Sequence, residues 1–151
     1  MHSMFDDIDE EVIRMIVDAK EIAVYGLSSV PHKASHYVSQ YLQDQGNFII
    51  PININQYVDR ILGEKVYRDM MSVPYDYDIL VVFRPSNEIP VIVNEYFSAP
   101  HQSPLIWFQS GIYDQESYSR VEEAGLRCIM DKCLMVEHQK LVGEGWFKEK
   151  E

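Results

Sequence analysis

The sequence predicts a single α/β domain in which helices cover both faces of a mostly parallel sheet of five or six strands. Short apolar runs without period-two alternation recur along the chain, which is typical of strands buried on both faces. Helical patterns separate these runs, and this alternation favours right-handed crossovers between parallel strands. The 151 residues have the length of one domain, so residues 1–151 are treated as one unit. Together these observations predict a three-layer, Rossmann-like α/β fold.

The first predicted element is a helix within residues 1–20. Asp7 and Glu10 are arranged as the two ends of a capping box, and acidic residues fill the first turns, where the helix dipole is positive. We interpret this acidic segment as a capped, solvated helix and assign it no chemistry. Its apolar positions recur at helical spacing and are Ile8, Val12, Met15, Ile16 and Ala19.

The remaining elements alternate. Strands are predicted at residues 22–25, 48–52, 79–83, 105–108 and 126–130, and Trp107 is expected in the core. Helices are predicted at residues 35–45 before Gly46, at 87–97 after a Ser86 cap, and at 115–124 between an Asp114 cap and Gly125. Residues 53–74 contain few apolar side chains and predict loop, a short strand near residues 65–67 and a turn.

The end of the chain, residues 143–151, forms a predicted charged tail. Its two aromatic residues, Trp146 and Phe147, are expected to dock on the domain itself. The alternative is that they bind a partner protein, which would make the domain a regulatory module.

The composition argues against several classes of protein. Lys and Arg total 13 against 24 Asp and Glu, and the net charge of −11 disfavours a general surface for nucleic acid or for an acidic membrane. No run approaches the roughly 18 apolar residues of a membrane helix. Residues 1–11 are acidic where a signal peptide is basic. Cys128 and Cys133 are too few for a disulfide framework. We therefore expect a cytoplasmic protein with two thiols.

The residues after the first strand are the most informative candidates for a binding site, because ligands of open parallel sheets bind outside the carboxyl ends of the strands. Gly26 permits a tight turn, and N–H groups around Ser28 and at the next helix start are expected to hold a phosphate. Ser35 is expected to cap that helix or to donate its hydroxyl. No acidic residue occurs from position 26 to 43, where Lys33 is the one permanent cation. The loop therefore predicts a diphosphate site.

Several familiar chemistries do not fit the sequence. The loop lacks the second and third glycines of the dinucleotide-binding motif G-x-G-x-x-G. The second strand ends at Asn53, without the Asp or Glu that would bind the ribose hydroxyls of NAD, so NAD is disfavoured as a ligand. There is no G-x-x-x-x-G-K-[ST] for P-loop hydrolysis and no G-x-S-x-G elbow. Cys128, Cys133 and His138 form C-x4-C-x4-H, but one of them lies within a strand and a fourth ligand is missing, so no metal site is expected. We identify no catalytic residues.

Two further candidates follow later strands. Arg84 comes directly after the third strand, and the sequence leaves open whether it binds a phosphate or forms a structural salt bridge. Cys133 follows the last strand, whereas Cys128 lies within it, so Cys133 is the thiol expected at the ligand-bearing edge.

These motifs together resemble the stand-alone CoA-binding protein family, whose single Rossmann-like domains are similar to the CoA-binding domain of the succinyl-CoA synthetase alpha subunit. The resemblance spans about residues 22–143. It rests on Val24-Tyr-Gly-Leu-Ser28 with Pro31, Lys33 and Ser35, on Ile50-Pro-Ile-Asn53, on Leu62-Gly-Glu-Lys-Val-Tyr67, on Val82-Phe-Arg-Pro85, on Trp107-Phe-Gln-Ser-Gly111 and on Asp131-Lys-Cys-Leu-Met-Val-Glu-His138.

The resemblance implies a place for each part of coenzyme A. The diphosphate would lie on residues 26–35, the adenosine near Asn53, Phe83 and Arg84, and Gln109 and Gly111 would border the same cleft. The sequence departs from the family at three positions: Lys33 replaces the usual Arg, Ile54 a common Pro, and Leu134 a frequent Pro. Lysine keeps the charge but lacks the bidentate fork, which bears on affinity more than on ligand class.

The expected function is binding of CoA or an acyl-CoA without catalysis. The synthetase reacts through a phosphorylated histidine in a second domain, and no such role is carried over to His138. Cys133 is a candidate to meet the CoA thiol and form a mixed disulfide under oxidation. The alternative function is that of a small Rossmann-type enzyme acting on another nucleotide-linked substrate, with Arg84, Asp131 and Cys133 as its candidate residues.

Overall fold

The computed structural model of the chain describes residues 8–148. Its helices are α1 (Glu10–Asp18), α2 (Ala34–Asp44), α3 (Ile89–Ser98), α4 (Gln115–Glu123) and α5 (Leu134–Gly143), with a 3₁₀ turn at Ser86–Glu88 before α3. Its strands are β1 (Glu21–Tyr25), β2 (Phe48–Ile52), β3 (Arg60–Ile61), β4 (Glu64–Lys65), β5 (Ile79–Val82), β6 (Leu105–Phe108) and β7 (Arg127–Ile129). Among these residues, no helix is long and apolar enough to cross a membrane.

Five strands form one parallel sheet in the order β2-β1-β5-β6-β7. The side chains of β5 alternate between two separate cores, so all four of its residues are buried. Leu80 and Val82 pack in the core beneath α3 and α4, while Ile79 and Val81 pack in the core beneath α1, α2 and α5. The predicted three-layer α/β fold with a five-stranded parallel sheet is therefore confirmed, and Trp107 is fully buried as expected.

The first helix begins later than the sequence suggested. Its N-cap is Asp9, whose carboxylate accepts the Val12 N–H at 3.0 Å, so the capping box predicted from Asp7 and Glu10 is wrong. Asp7 itself lies outside the described residues. The acidic first turn also pairs with β7, because the Arg127 guanidinium lies 3.0 Å from Asp9 and 2.6 Å from Glu11. These acids therefore hold the helix on the sheet as well as facing water.

Of two further predicted helix caps, one is confirmed and the other is wrong. Asp114 caps α4 as predicted, since its carboxylate accepts the Ser117 N–H at 3.1 Å. The predicted Ser86 cap of α3 is wrong, because Ser86 lies within the 3₁₀ turn and its hydroxyl oxygen accepts the Tyr113 N–H at 3.0 Å. Ser86 thus joins the loop after β5 to the loop after β6.

Residues 53–74 contain a small hairpin that was not expected from the sequence. Strands β3 and β4 pair antiparallel, and the predicted short strand near residues 65–67 corresponds to β4 and to a single parallel bridge between Ile52 and Tyr67. This bridge covers part of the outer edge of β2.

The tail aromatic residues dock on their own domain, as expected. Trp146 and Phe147 pack against the core beneath α1, α2 and α5. The Arg14 guanidinium lies 5.1 Å from the Trp146 ring centroid, and Phe147 lies 4.5 Å from the ring of buried His138. Burial lowers the pKa of His138, whose Nδ1 is 2.8 Å from the Tyr41 hydroxyl. The tail up to Lys148 is therefore attached to the domain surface.

Candidate functional site

The strand order creates a crevice at the carboxyl ends of β1 and β5. The chain leaves β1 through α2 to reach β2 on one side, and it later enters β5 on the other side of β1. Helices α2 and α3 pack on opposite faces of the sheet, so the chain leaves β1 toward one face and β5 toward the other. This topological switch point is where open α/β sheets bind ligands.

An open cleft of about 640 Å³ occupies this position. The residues of its lining that the sequence analysis named are Gly26, Ser28, Lys33, Ser35, Asn53, Phe83 and Arg84. The lining residues that it did not propose as site residues are Tyr25, Ser29, Val30, Ala34, Ile52, Ile54, Asn55 and Glu88. The structure thus brings together seven of the predicted residues, which follow the ends of three different strands, β1, β2 and β5.

Gly26 brings the loops after β1 and β5 into close contact. Its φ is 89°, a left-handed conformation that glycine adopts readily. A Cβ at this position would lie 2.7 Å from the carbonyl oxygen of Phe83 and 3.0 Å from Cδ of Arg84. The missing side chain therefore permits the floor of the cleft to form.

The loop between Gly26 and α2 is held by its own serines. The Ser28 N–H donates to Oγ of Ser35 at 2.9 Å, and the Val30 N–H donates to Oγ of Ser28 at 3.0 Å. The expectation that the N–H groups immediately around Ser28 are free for a phosphate is therefore wrong for these two. Of the two roles expected for Ser35, the cap of α2 is wrong, because Lys33 occupies the N-cap and Ser35 is the second helical residue.

The donors that face the cleft come from the first turn of α2. The first N–H groups of an α-helix have no acceptor within the helix, and those of Ala34 and Ser35 are in this position at the lining of the cleft. The Ser35 hydroxyl accepts one hydrogen bond. Its own proton is free to be donated to a ligand, since no acceptor for it lies among the described residues. Together with the positive end of the helix dipole, these groups are suited to an anionic oxygen.

Lys33 adds a charge at the same place. Its side chain is exposed at the helix start, and within residues 8–148 no carboxylate forms a salt bridge with it. The loop therefore offers an unpaired cation beside free N–H groups in a chain whose net charge is −11.

The wall after β2 is fixed by Asn53 and Arg68. Asn53 donates from Nδ2 to the Leu27 carbonyl at 2.8 Å and accepts the Asn55 N–H at 2.7 Å, so its amide links two loops. The Arg68 guanidinium donates to the Val58 carbonyl at 2.7 Å and to the Asn53 carbonyl at 3.3 Å. Asn53 is thus a structural hydrogen-bonding residue of the cleft wall.

The wall after β5 contains an ion pair. Arg84 donates from Nε and Nη2 to the two carboxylate oxygens of Glu88, at 3.1 and 2.8 Å. This bidentate contact raises the pKa of Arg84. Of the two roles that the sequence left open, the structural salt bridge is observed, and both partners line the cleft. The preceding Phe83 is half-buried and packs against the core beneath α2.

Tyr25 forms part of the cleft and was not among the predicted site residues. Its hydroxyl donates to a Glu95 carboxylate oxygen at 3.1 Å, and the other oxygen of Glu95 accepts the Met70 N–H at 2.6 Å. Burial, reinforced by the Glu95 charge, raises the pKa of Tyr25 to about 12. The phenol is therefore a neutral hydrogen-bonding group at neutral pH rather than a base.

Three predicted residues lie at the same edge of the sheet but outside the lining of the cleft. The Gln109 amide oxygen accepts the Leu134 N–H at 2.9 Å, and the Gly111 N–H donates to Asp131 at 2.6 Å. Cys133 is the N-cap of α5 and is half-buried. These residues organise the loops after β6 and β7, and the structure does not bring them into the cleft itself.

The C-x4-C-x4-H pattern does not converge on one point. Cys128 is buried in β7, where burial raises the pKa of its thiol, and His138 contacts Tyr41. Across residues 8–148, no group of three or more His, Cys, Asp and Glu side chains is placed to hold a metal ion.

One signal for the missed ion pair was present in the sequence. Arg84 and Glu88 stand four residues apart, the spacing of neighbours on one helical face. The other missed residues had weaker signals, because Tyr25 and Ile52 are the last residues of apolar strands and resemble ordinary core positions.

Most of the chain is similar to known proteins. Residues 20–139 match the family described as CoA binding domain. The chain is 36% identical over 128 residues to the uncharacterised protein YneT of Bacillus subtilis, covering 85% of this chain and 92% of YneT. It is 29% identical over 83 residues to an ADP-forming acetate–CoA ligase of Methanocaldococcus jannaschii, covering 55% of this chain and 12% of the ligase.

A solved structure from Thermus thermophilus superposes with a TM-score of 0.81 at 34% identity, covering 87% of this chain and 97% of that one. The region that matches the CoA binding domain family, residues 20–139, includes every strand of the parallel sheet and every residue that lines the cleft. The chain therefore belongs to the CoA-binding domain family.

Proposed function

We propose that this protein binds coenzyme A or an acyl-CoA in the cleft between β1 and β5, without catalysis of its own. The observation that supports this most strongly is the segment 26–43, which contains no acidic residue. In this segment, Lys33 and the free N–H groups at the start of α2 lie at the topological switch point. A diphosphate carries the anionic oxygens that such donors bind. Membership of a CoA-binding family supports coenzyme A as the source of that diphosphate.

The proposed pose follows the walls of the cleft. The diphosphate lies over Gly26 and Ser28, with Lys33 and Ser35 as donors, while the adenosine lies toward Asn53, Phe83 and Arg84. The pantetheine then crosses the sheet edge toward Gln109, Gly111 and Cys133, whose loops lie at the carboxyl ends of β6 and β7. We further propose a cytoplasmic location, a reducing compartment in which both cysteines are normally thiols.

Calorimetric titration with CoA, dephospho-CoA and NAD tests the proposed function. We expect selective binding of CoA, and we expect Lys33→Ala to weaken it about tenfold, because one charge-assisted contact to phosphate is lost. Lys20→Ala is the matched control, since Lys20 is exposed at the amino end of β1, the opposite edge of the sheet. It removes the same charge and should leave CoA affinity unchanged.

Absence of CoA binding near a millimolar concentration, about −4 kcal/mol, would refute the proposal. An equal loss in both lysine variants would instead show that only the overall charge matters and that the diphosphate does not lie on the loop.

We also propose that oxidation joins Cys133 to bound CoA. With hydrogen peroxide as oxidant, the two thiols lose two electrons and two protons to form one S–S bond, and peroxide is reduced to two waters. Intact-mass analysis of protein treated with CoA and peroxide should show one adduct, lost in Cys133→Ser and retained in Cys128→Ser. The buried Cys128 thiol, with its raised pKa, is a poor nucleophile. An adduct on Cys128, or none, would remove this part of the proposal.

A further inference from the structure

The cleft contains its own anionic group, and this group lies on the cation best suited to a phosphate. Lys33, Arg84 and Glu88 are the charged side chains of the lining. Because Glu88 neutralises Arg84, Lys33 is left as the net charge offered to an incoming ligand. A planar guanidinium binds a phosphate through the same two N–H groups that here hold the Glu88 carboxylate.

The position of Arg84 places this fork next to the diphosphate loop. Its Cδ would lie 3.0 Å from a Cβ on Gly26, so the side chain runs along the glycine turn. The carboxylate of Glu88 therefore occupies an anion position beside the loop that also carries Lys33 and the first turn of α2.

The pair is open enough to exchange partners. The side chain of Arg84 is 43% exposed and that of Glu88 is 39% exposed. Ion pairs this accessible contribute little net stability, because water solvates both groups when they separate. Glu88 is the last residue of the short 3₁₀ turn that follows Arg84 and Pro85, so its side chain can turn to solvent without any change in the sheet.

We propose that the Glu88 carboxylate competes with the ligand for Arg84: the CoA diphosphate displaces the carboxylate from Arg84, and Glu88 thereby lowers the affinity of the site for diphosphate ligands. This inference rests on the proposed function in taking CoA as the ligand. It assigns Glu88 as a residue that sets affinity and Arg84 as a phosphate-binding residue that is released only on binding.

The test is a double-mutant cycle on the full chain, measured by calorimetric titration with CoA. Glu88→Gln should bind CoA about three- to tenfold more tightly than the wild type, because Arg84 is freed and a like charge is removed. Arg84→Met should bind more weakly, and in the double variant Glu88→Gln should lose most of its benefit. Glu123→Gln is the matched control, since Glu123 is an exposed glutamate at the end of α4, away from the cleft.

Two outcomes would overturn the inference while CoA binding itself stands. One is unchanged or weaker CoA affinity in Glu88→Gln, with thermal unfolding showing that the variant is folded. The other is a full gain from Glu88→Gln on the Arg84→Met background, which would mean that the carboxylate repels the ligand without blocking Arg84.

Inorganic pyrophosphate separates this inference from the proposed function. If the wild type does not bind CoA, the proposed function fails, and the competition is then judged by pyrophosphate alone. Tighter pyrophosphate binding by Glu88→Gln than by the wild type supports the competition, and equal binding refutes it.

Discussion

Gly26→Ala is expected to lower the free energy of unfolding by about 2–6 kcal/mol and to abolish measurable CoA binding. Two costs add at this position. A non-glycine residue held at positive φ costs about 1–3 kcal/mol, and Gly26 has a φ of 89°. The new Cβ would also lie 2.7 Å from the Phe83 carbonyl oxygen, so the loops after β1 and β5 must separate, and such overpacking costs about 1–3 kcal/mol. Urea unfolding and calorimetric titration measure the two effects.

Gly46→Ala is the matched control for Gly26→Ala. Gly46 has a φ of 103°, yet a Cβ there meets no heavy atom within 4 Å, and the residue lies outside the lining of the cleft. This variant therefore carries the backbone cost alone and should bind CoA normally. Equal destabilisation by the two variants, or normal CoA binding by Gly26→Ala, would show that the close approach to Phe83 does not shape the cleft.

The fold was predictable because its strands are buried on both faces. Residues 79–82 are apolar without alternation, and each of them is fully buried in the structure. Such a run argues against a strand with one face in water. Because helices lie between successive strands, a parallel sheet covered on both faces is the arrangement that buries these side chains. The predicted bounds of the five strands of the parallel sheet accordingly differ from the observed ones by at most one residue at either end.

Local hydrogen bonding was less predictable, because serine has several equivalent partners. Ser35 and Ser86 both precede or begin helical patterns, yet their hydroxyls bind the backbone of neighbouring loops at Ser28 and Tyr113. Tertiary contacts decided both cases, and no local pattern encodes them.

The β3–β4 hairpin was missed for a related reason. Its turn places Leu62 at a φ of 55° and Gly63 at 79°, a pair of positive values that Asn-Gly or Asp-Gly usually signals. Leucine is an unusual residue at such a φ, so the sequence carried only half of the signal. In the cleft, the strand ends pointed to seven of the lining residues, whereas the pairing of Arg84 with Glu88 is evident only from the folded structure.

Trp107→Ala is expected to lower the free energy of unfolding by about 3–5 kcal/mol, the usual range for removing a buried aromatic side chain. Trp107 is 0% exposed in β6, and its indole N–H donates to the Lys132 carbonyl at 2.8 Å. The substitution leaves a cavity beneath α5 and frees the loop that leads to Cys133. Urea unfolding followed by circular dichroism measures the loss.

Trp146→Ala is the matched control for Trp107→Ala, because it removes the same type of side chain from the docked tail instead of the central sheet. Trp146 is half-buried and contacts Arg14 through its ring face, so its removal should cost less than half as much as that of Trp107. Unchanged stability in Trp146→Ala, combined with a change in oligomeric state, would favour the partner-binding role of the tail. A loss equal to that of Trp107→Ala would mean instead that the tail is as integral to the fold as the central sheet, because only then would its burial contribute as much free energy.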